Sequence, residues 1–113
     1  MLKKRLIPKL LFKVKESFRG QKPLLVTTKE FNSIKPTGDP ISQAKIFEAQ
    51  LADELVFLNI DRNQDSWSLF LETIEEMANS LATPLAVGGG IKDFEQVQQL
   101  LDRGADKIII NTA

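Results

Sequence analysis

Short apolar runs alternate with longer stretches of helical periodicity along this chain. The runs are typical of strands because they are rich in Leu, Val and Ile, and the stretches between them place apolar residues three and four positions apart. Such alternation predicts a parallel sheet with right-handed crossover helices. The predicted strands are 5–12, 54–60, 84–87 and 107–110, and the predicted helices are 40–51, 66–81 and 94–103.

The first crossover contains more than a helix. Residues 13–20 are charged and are predicted to form a loop, whereas Pro23–Thr28 has strand character and is predicted to form a hairpin arm or a flap over the end of the first strand. Residues 32–40 are rich in turn formers and predict another loop. Asp39, followed by a proline, predicts a helix N-cap. Gly104 predicts the C-cap of the last helix, whose inward residues should be the following: Phe94, Val97, Leu100 and Leu101.

Four parallel strands are too few to close a barrel, which takes about eight strands and roughly 250 residues. We therefore expect residues 1–113 to form a single partial domain, the N-terminal half of a TIM (β/α)8 barrel with four parallel strands and helices between them. The first and last strands of such a half would expose unpaired edges. Pairing with a second half, or self-association of the half-barrel, is expected to cover them.

Three consecutive glycines follow the third predicted strand. Glycine lets the backbone turn sharply and leaves its N–H groups uncovered, so an anion can approach them near the start of the next helix. Gly88–Gly90 are therefore compatible with a phosphate site or with a tight turn that binds nothing. Asn111 and Thr112 end the fourth predicted strand and would lie beside the glycines if the two strands are neighbours, which favours phosphate.

Composition removes several classes of function. The chain has 15 basic and 15 acidic residues, no cysteine and no histidine. The balanced charge gives no reason to expect nucleic acid as a partner. The absence of both residue types excludes thiolate metal sites, cysteine nucleophiles and histidine bases. We expect no metal, no organic cofactor and no membrane segment, and a cytoplasmic location.

Five runs spread in order along the chain resemble the cyclase subunit of imidazole glycerol phosphate synthase. They are KRLIP at 4–8, GDP at 38–40, ADELVFLNI at 52–60, VGGGI at 87–91 and RGADKIIINTA at 103–113. The resemblance implies a TIM barrel that forms a heterodimer with a glutaminase, as in histidine biosynthesis. Ammonia from the glutaminase would pass through the barrel and be used by this lyase-type synthase at the C-terminal ends of the strands, on a phosphorylated ribosyl substrate.

The resemblance assigns roles to two groups of residues. The phosphate-binding residues of the family match Gly88, Gly89, Gly90, Asn111 and Thr112, with the amide of Gly90 as a donor. The charged ring at the ammonia entrance of the family matches Arg5, Glu54 and Lys107, and Asp106 matches a contact with the glutaminase. On spacing alone Arg5, Glu54 and Lys107 would be ordinary solvated charges at strand ends, and only the resemblance favours an ammonia gate.

The catalytic positions of the family depart from its pattern. Leu11 stands where the family has its first-strand catalytic aspartate, and leucine cannot transfer a proton. Thr27 aligns with a loop lysine, and Asn59 with the aspartate that ends the second strand. Asp61, two residues later, would share a face with Asn59 if the strand extends that far. Asn59 and Asp61 are therefore candidate polar contacts, and whether the chain is an enzyme stays open.

Two alternatives follow from these departures. The chain is also similar to diverged cyclase-like paralogues that work with a glutaminase-like partner in surface-polysaccharide (LPS) biosynthesis, where ammonia builds an amidino group on a sugar. Alternatively, it is a non-catalytic half-barrel that serves as a scaffold for a glutaminase.

Overall fold

The protein forms one six-stranded sheet, in the strand order β3-β2-β1-β4-β5-β6. The computed structural model describes residues 5–17, 20–29, 33–61 and 66–110. The elements, in chain order, are β1 (Lys9–Ser17), β2 (Gly20–Lys29), β3 (Ser33–Gly38), α1 (Pro40–Ala49), β4 (Leu55–Asn59), α2 (Trp67–Ser80), β5 (Leu85–Gly88), α3 (Phe94–Asp102) and β6 (Lys107–Ile109).

Four of the strands are parallel neighbours, namely β1, β4, β5 and β6. A helix separates each consecutive pair of these strands, as the alternating sequence pattern predicts. In register, Leu11 lies opposite Leu58, Leu58 opposite Gly88, and Gly88 opposite Ile109. This unit is half of a TIM barrel, because the full barrel repeats strand and helix eight times. The predicted fold class is therefore confirmed.

The core lies on one face of this sheet, between the strands and the helices. Phe12 of β1 and Phe57 of β4 are fully buried, and their ring centroids are 5.7 Å apart. Phe70 of α2 lies 5.0 Å and 5.4 Å from these two rings. The alternate residues of the same strands, such as Leu11 and Leu58, are only half-buried. They occupy the face that lines the interior when a barrel is closed.

The first crossover differs from the prediction. β1 continues to Ser17 and pairs antiparallel with β2, and β2 pairs antiparallel with β3. The strand character predicted at Pro23–Thr28 is confirmed. The loops predicted at 13–20 and 32–40 are wrong at 13–17, at Gly20 and at Ser33–Gly38, which are strand, whereas residues 18, 19 and 32 lie outside the described residues. The charged residues at 13–17 led to the prediction of a loop, but an antiparallel ribbon that projects from a sheet can carry polar residues where it faces solvent. β1 is consequently not an edge strand, since β2 covers it.

The helix ends follow local rules. Asp39 caps α1, because its carboxylate accepts a hydrogen bond of 3.0 Å from the amide of Ser42. The C-cap of α3 is Arg103, one residue before the predicted Gly104, and Gly104 follows it with a φ of 115° and ends the helix. Of the residues predicted to face inward from α3, Leu100 is fully buried, but Phe94 is 79% exposed and Leu101 is 43% exposed. In the described part of the chain, no helix is long and apolar enough to cross a membrane.

Candidate functional site

The C-terminal ends of the parallel strands bring the glycine run and the polar end of β4 together. Gly88 is the last residue of β5, and Gly89 and Gly90 have φ values of 91° and 70°. These are left-handed conformations that side chains disfavour, so the sharp turn requires glycine at both positions. α3 begins four residues after Gly90, with Asp93 as its N-cap.

Gly89 rests directly on the backbone of Asn59. A Cβ atom placed on Gly89 would overlap the carbonyl oxygen of Asn59 and lie 2.8 Å from its amide nitrogen. Among the residues that the structure describes, a Cβ on Gly90 would meet nothing closer than the side-chain nitrogen of Asn59, at 3.8 Å. The structure therefore brings the glycine turn and Asn59, which were predicted separately, into contact.

Asn59 and Asp61 form a hydrogen-bonded pair at the same strand end. The side-chain oxygen of Asn59 accepts a hydrogen bond of 2.9 Å from the amide of Asp61. The Oδ2 atom of Asp61 accepts one of 2.9 Å from the amide of Val14. Asn59 is buried, with 9% of its surface exposed, and its oxygen is held by this turn. It therefore fixes the backbone rather than acting as an acid or a base.

Leu11, the residue that the resemblance aligns with a catalytic aspartate, lies in the same region. Leu11 belongs to β1, is half-buried, and lies opposite Leu58 in the parallel ladder. Asn111 and Thr112 lie outside the described residues, which end at Ile110. Thr27 lies within β2, opposite Lys35 of β3. No cluster of three or more potential metal ligands occurs among the residues that the structure describes.

At the opposite ends of the strands, two of the predicted charged residues meet. The Nζ atom of Lys107 lies 3.2 Å from the Oε1 atom of Glu54, across the first residues of β5. The Glu54 side chain is 13% exposed and the Lys107 side chain 67% exposed, so the pair lies at the boundary between the sheet and solvent. Arg5 is exposed, and the structure shows no contact between it and this pair.

Two aspartates at this end bind backbone groups at or just before the start of the neighbouring strand. The carboxylate of Asp106 accepts a 2.8 Å hydrogen bond from the amide of Leu85, and the amide of Asp106 donates one to the Leu85 carbonyl. Asp53 makes the same two contacts with Leu6. The sequence analysis missed the role of Asp53. Its signal is the repeated order Ala-Asp-charged residue, at 52–54 and at 105–107.

A third carboxylate at this end ties α1 to the segment before β5. Glu48 accepts hydrogen bonds of 3.0 Å and 2.7 Å from the amides of Thr83 and Ala82, and one of 3.0 Å from the hydroxyl of Thr83. The amide of Thr83, then that of Ala82, lowers the pKa of Glu48 below its ordinary value, because these donors favour the ionised form. Sequence periodicity carries no signal for this contact.

Comparison with known proteins identifies the class to which this half-barrel belongs. The model of the family described as "Histidine biosynthesis protein" matches residues 17–113, and the chain belongs to this family. The chain is 63% identical over 112 residues to a Prochlorococcus marinus (strain MIT 9313) protein provisionally named imidazole glycerol phosphate synthase subunit hisF2, covering 99% of this chain and 43% of that protein.

Imidazole glycerol phosphate synthase subunits HisF of Staphylococcus are also similar. The chain is 39% identical over 113 residues to those of Staphylococcus carnosus (strain TM300) and Staphylococcus aureus (strain Newman), covering all of this chain and 41% and 42% of those proteins, respectively. The chain thus spans less than half the length of these curated relatives. The resemblance noted in the sequence is confirmed at the level of the family.

Proposed function

We propose that this half-barrel binds the phosphate of a ribosyl substrate in a synthase subunit that uses ammonia from a glutaminase. The observation that carries the proposal is the turn at Gly88–Gly90, which lies at the C-terminal end of the parallel strands and ahead of α3. Ligands of parallel α/β sheets and barrels bind at this end. The names of the relatives, imidazole glycerol phosphate synthase subunits, support this reaction class.

Phosphate binding at this turn follows from its backbone. The positive φ values of Gly89 and Gly90 produce a turn without side chains, so amide groups can approach an anion closely. The N-terminal end of α3 adds partial positive charge. We assign the amide of Gly90 and the side chains of Asn111 and Thr112 to the phosphate, and Asn59 and Asp61 to the polar surroundings.

At the other end of the strands, we assign Glu54, Lys107 and Arg5 to an ammonia gate. Charged side chains at the inner starts of strands must pair with each other or face water, and the 3.2 Å ion pair between Glu54 and Lys107 is compatible with both. We assign Asp106 to the interface with the glutaminase. Its bond to Leu85 holds the start of β5 in the sheet, so the same residue would keep the docking surface in shape.

The partial length of the chain determines how the site is completed. Residues 1–113 are proposed to be a single half-barrel domain, and the interior face around Leu11 and Leu58 requires a cover. In the relatives, more than half of the protein lies beyond the matched region. A second half of this kind, or a second copy of the half-barrel, would close the barrel and supply the remaining residues of the site.

Leu11 favours a second candidate function. Leu11 lies against Leu58 in the ladder, so neither position supplies a proton donor for ring closure. A paralogue that transfers ammonia to form an amidino group on a sugar, in surface-polysaccharide biosynthesis, would keep the phosphate site and the ammonia gate without this acid. A non-catalytic scaffold for a glutaminase would need neither the acid nor the phosphate site.

Isothermal titration with inorganic phosphate and ribose 5-phosphate tests the proposal. The parent chain should bind both, and the double variant Asn111→Ala, Thr112→Ala should bind at least about tenfold more weakly, because each lost bond to a charged group costs about 1.5 kcal/mol or more. The matched control is Asn79→Ala, Ser80→Ala, which changes an exposed pair on α2. Equal affinity of the parent and the Asn111, Thr112 variant would refute the site.

Placing an aspartate at residue 11 separates a cyclase that has lost its acid from the paralogue and the scaffold. If the chain is only a damaged cyclase, Leu11→Asp should raise cyclase turnover in the reconstituted barrel. No gain would support the paralogue or the scaffold, and phosphate binding would then decide between those two.

A further inference from the structure

The ladder between β1 and β4 ends on a side chain instead of a backbone carbonyl. Its last backbone bond runs from the amide of Ile60 to the carbonyl of Phe12, with a length of 3.0 Å. In a regular parallel ladder, the amide of Val14 would next donate to the carbonyl of Ile60. It donates to the carboxylate of Asp61 at 2.9 Å instead. Asp61 therefore takes the place of a strand carbonyl.

Beyond this point β1 leaves the parallel sheet. Its residues from Lys15 to Ser17 pair with β2, from Lys22 to Gly20. These paired residues form an antiparallel extension of the sheet, which we call the β1–β2 ribbon. At about 3.3 Å per residue, it projects roughly 10 Å past the contact with Asp61. Val14 lies opposite Pro23, and its N–H points towards β4 and away from β2. β2 therefore offers no acceptor for the amide of Val14.

Asp61 also contacts the residue on which the glycine turn rests. Its amide donates to the side-chain oxygen of Asn59 at 2.9 Å, and the backbone of Asn59 lies against Gly89. Asp61 is thus bonded through its carboxylate to Val14, at the base of the β1–β2 ribbon, and through its amide to Asn59, on which the glycine turn rests. Both bonds have the ordinary length of 2.9 Å and are part-buried.

We propose that Asp61 is a positioning residue that fixes the β1–β2 ribbon relative to the glycine turn. This inference rests on the proposed phosphate site. It adds that a sugar attached to the bound phosphate extends over the end of β4, where Asp61 holds the base of the ribbon. The phosphate itself contacts the glycine turn, so loss of the Asp61 contact affects the sugar more than the phosphate.

Two variants and one control test this role. Asp61→Leu removes the acceptor at similar volume, and Asp61→Asn keeps an oxygen that accepts from Val14. Asp53→Leu is the matched control, because Asp53 makes the equivalent carboxylate-to-amide bond with Leu6 at the other end of the sheet. The measurements are amide hydrogen exchange at Val14 without ligand, and titration of each protein with ribose 5-phosphate and with inorganic phosphate.

Asp61→Leu should speed exchange at Val14 by about tenfold or more, because a bond to a charged acceptor is lost. It should weaken ribose 5-phosphate binding by about fivefold or more and inorganic phosphate binding by less than about twofold. Asp61→Asn should keep the exchange rate at Val14 and the affinity for ribose 5-phosphate within about threefold of the parent values. Asp53→Leu should leave that exchange rate and that affinity unchanged.

If the parent binds ribose 5-phosphate, three results would overturn the proposal. Unchanged exchange at Val14 in Asp61→Leu would show that the bond does not hold the ribbon. Faster exchange with unchanged affinity for ribose 5-phosphate would show a structural role alone. Equal effects of Asp53→Leu would show general destabilisation. If the parent binds neither ligand, the proposed phosphate site fails and the positioning role fails with it, whereas exchange at Val14 still reports separately whether Asp61 holds the ribbon.

Discussion

The glycine turn provides a sharp test because two adjacent glycines share a conformation and differ in the space around them. Gly89 and Gly90 both have positive φ values, of 91° and 70°. A methyl group on Gly89 would overlap the backbone of Asn59, whereas one on Gly90 would lie at an ordinary contact distance of 3.8 Å from the Asn59 side chain. Alanine at the two positions therefore separates conformational strain from steric overlap.

The expected costs follow from these contacts. Gly90→Ala should lower the free energy of unfolding by about 1–2 kcal/mol, the cost of a left-handed backbone for a residue with a Cβ. Gly89→Ala should cost about 3–4 kcal/mol, because overlap with atoms that cannot rotate away adds about 2 kcal/mol. The larger loss is a substantial part of the total stability of a small domain, which is about 5–15 kcal/mol.

Urea unfolding followed by the fluorescence of Trp67 measures both losses. Trp67 is the single tryptophan of the chain, and its ring lies 5.7 Å from that of Phe70 in the core. The dependence of the free energy on urea should keep the same slope in both variants, since the same surface is exposed on unfolding. Equal losses for Gly89→Ala and Gly90→Ala, or a larger loss for Gly90→Ala, would refute the reasoning from the contact with Asn59.

Three further predictions concern the core and the charged end of the sheet. Phe57→Ala should lower the unfolding free energy by about 3–5 kcal/mol in urea titrations, since a fully buried ring leaves a cavity; a loss below about 1 kcal/mol would contradict this packing. The pKa of Glu48 is lowered in the folded protein, so its carboxylate stabilises the fold above its ordinary pKa of 4.5, and this contribution is lost as the pH falls through the lower pKa of the folded state. The difference in unfolding free energy between the parent and Glu48→Gln should therefore shrink below about pH 4.5, and a constant difference between pH 3 and pH 7 would contradict this. A double-mutant cycle on Glu54→Gln and Lys107→Met should give a coupling energy of at most about 1 kcal/mol, because the lysine is well exposed, and a much larger coupling would show that the pair is more shielded than the structure indicates.

The parallel half of the fold could be predicted because its signals are local. Strand runs such as Leu55–Asn59, the N-cap Asp39, the glycine that follows α3 and the glycine turn all show in the order of residues. A hairpin arm was predicted at Pro23–Thr28, but β3 and the extension of β1 to Ser17 were missed, although Phe12, Lys13 and Val14 alternate between apolar and polar. The high charge of the segment outweighed that alternation.

The hydrogen bonds that hold the candidate site could not be predicted in the same way. The bond between Asp61 and Val14 joins residues 47 positions apart, and so does the bond between Asp53 and Leu6. Carboxylates bind backbone amides wherever the fold brings the two together, so residue type and spacing carry no signal for the pairing of Asp61 with Val14. For Asp53 the signal is only its place in the repeated Ala-Asp-charged order, which does not name Leu6 as the partner. The close approach of Gly89 to the backbone of Asn59 likewise depends on the neighbouring strands, even though the glycine itself is conspicuous in the sequence.

The most direct test of the proposed phosphate site is the mapping of amide chemical shifts during a titration with ribose 5-phosphate. The account predicts saturable shifts at Gly89 and Gly90, with smaller shifts near Asp61 and none at Leu6 or Asp53 on the opposite end of the sheet. Saturable shifts confined to the opposite end, or none at the glycines at saturating ligand, would contradict a phosphate site at this turn.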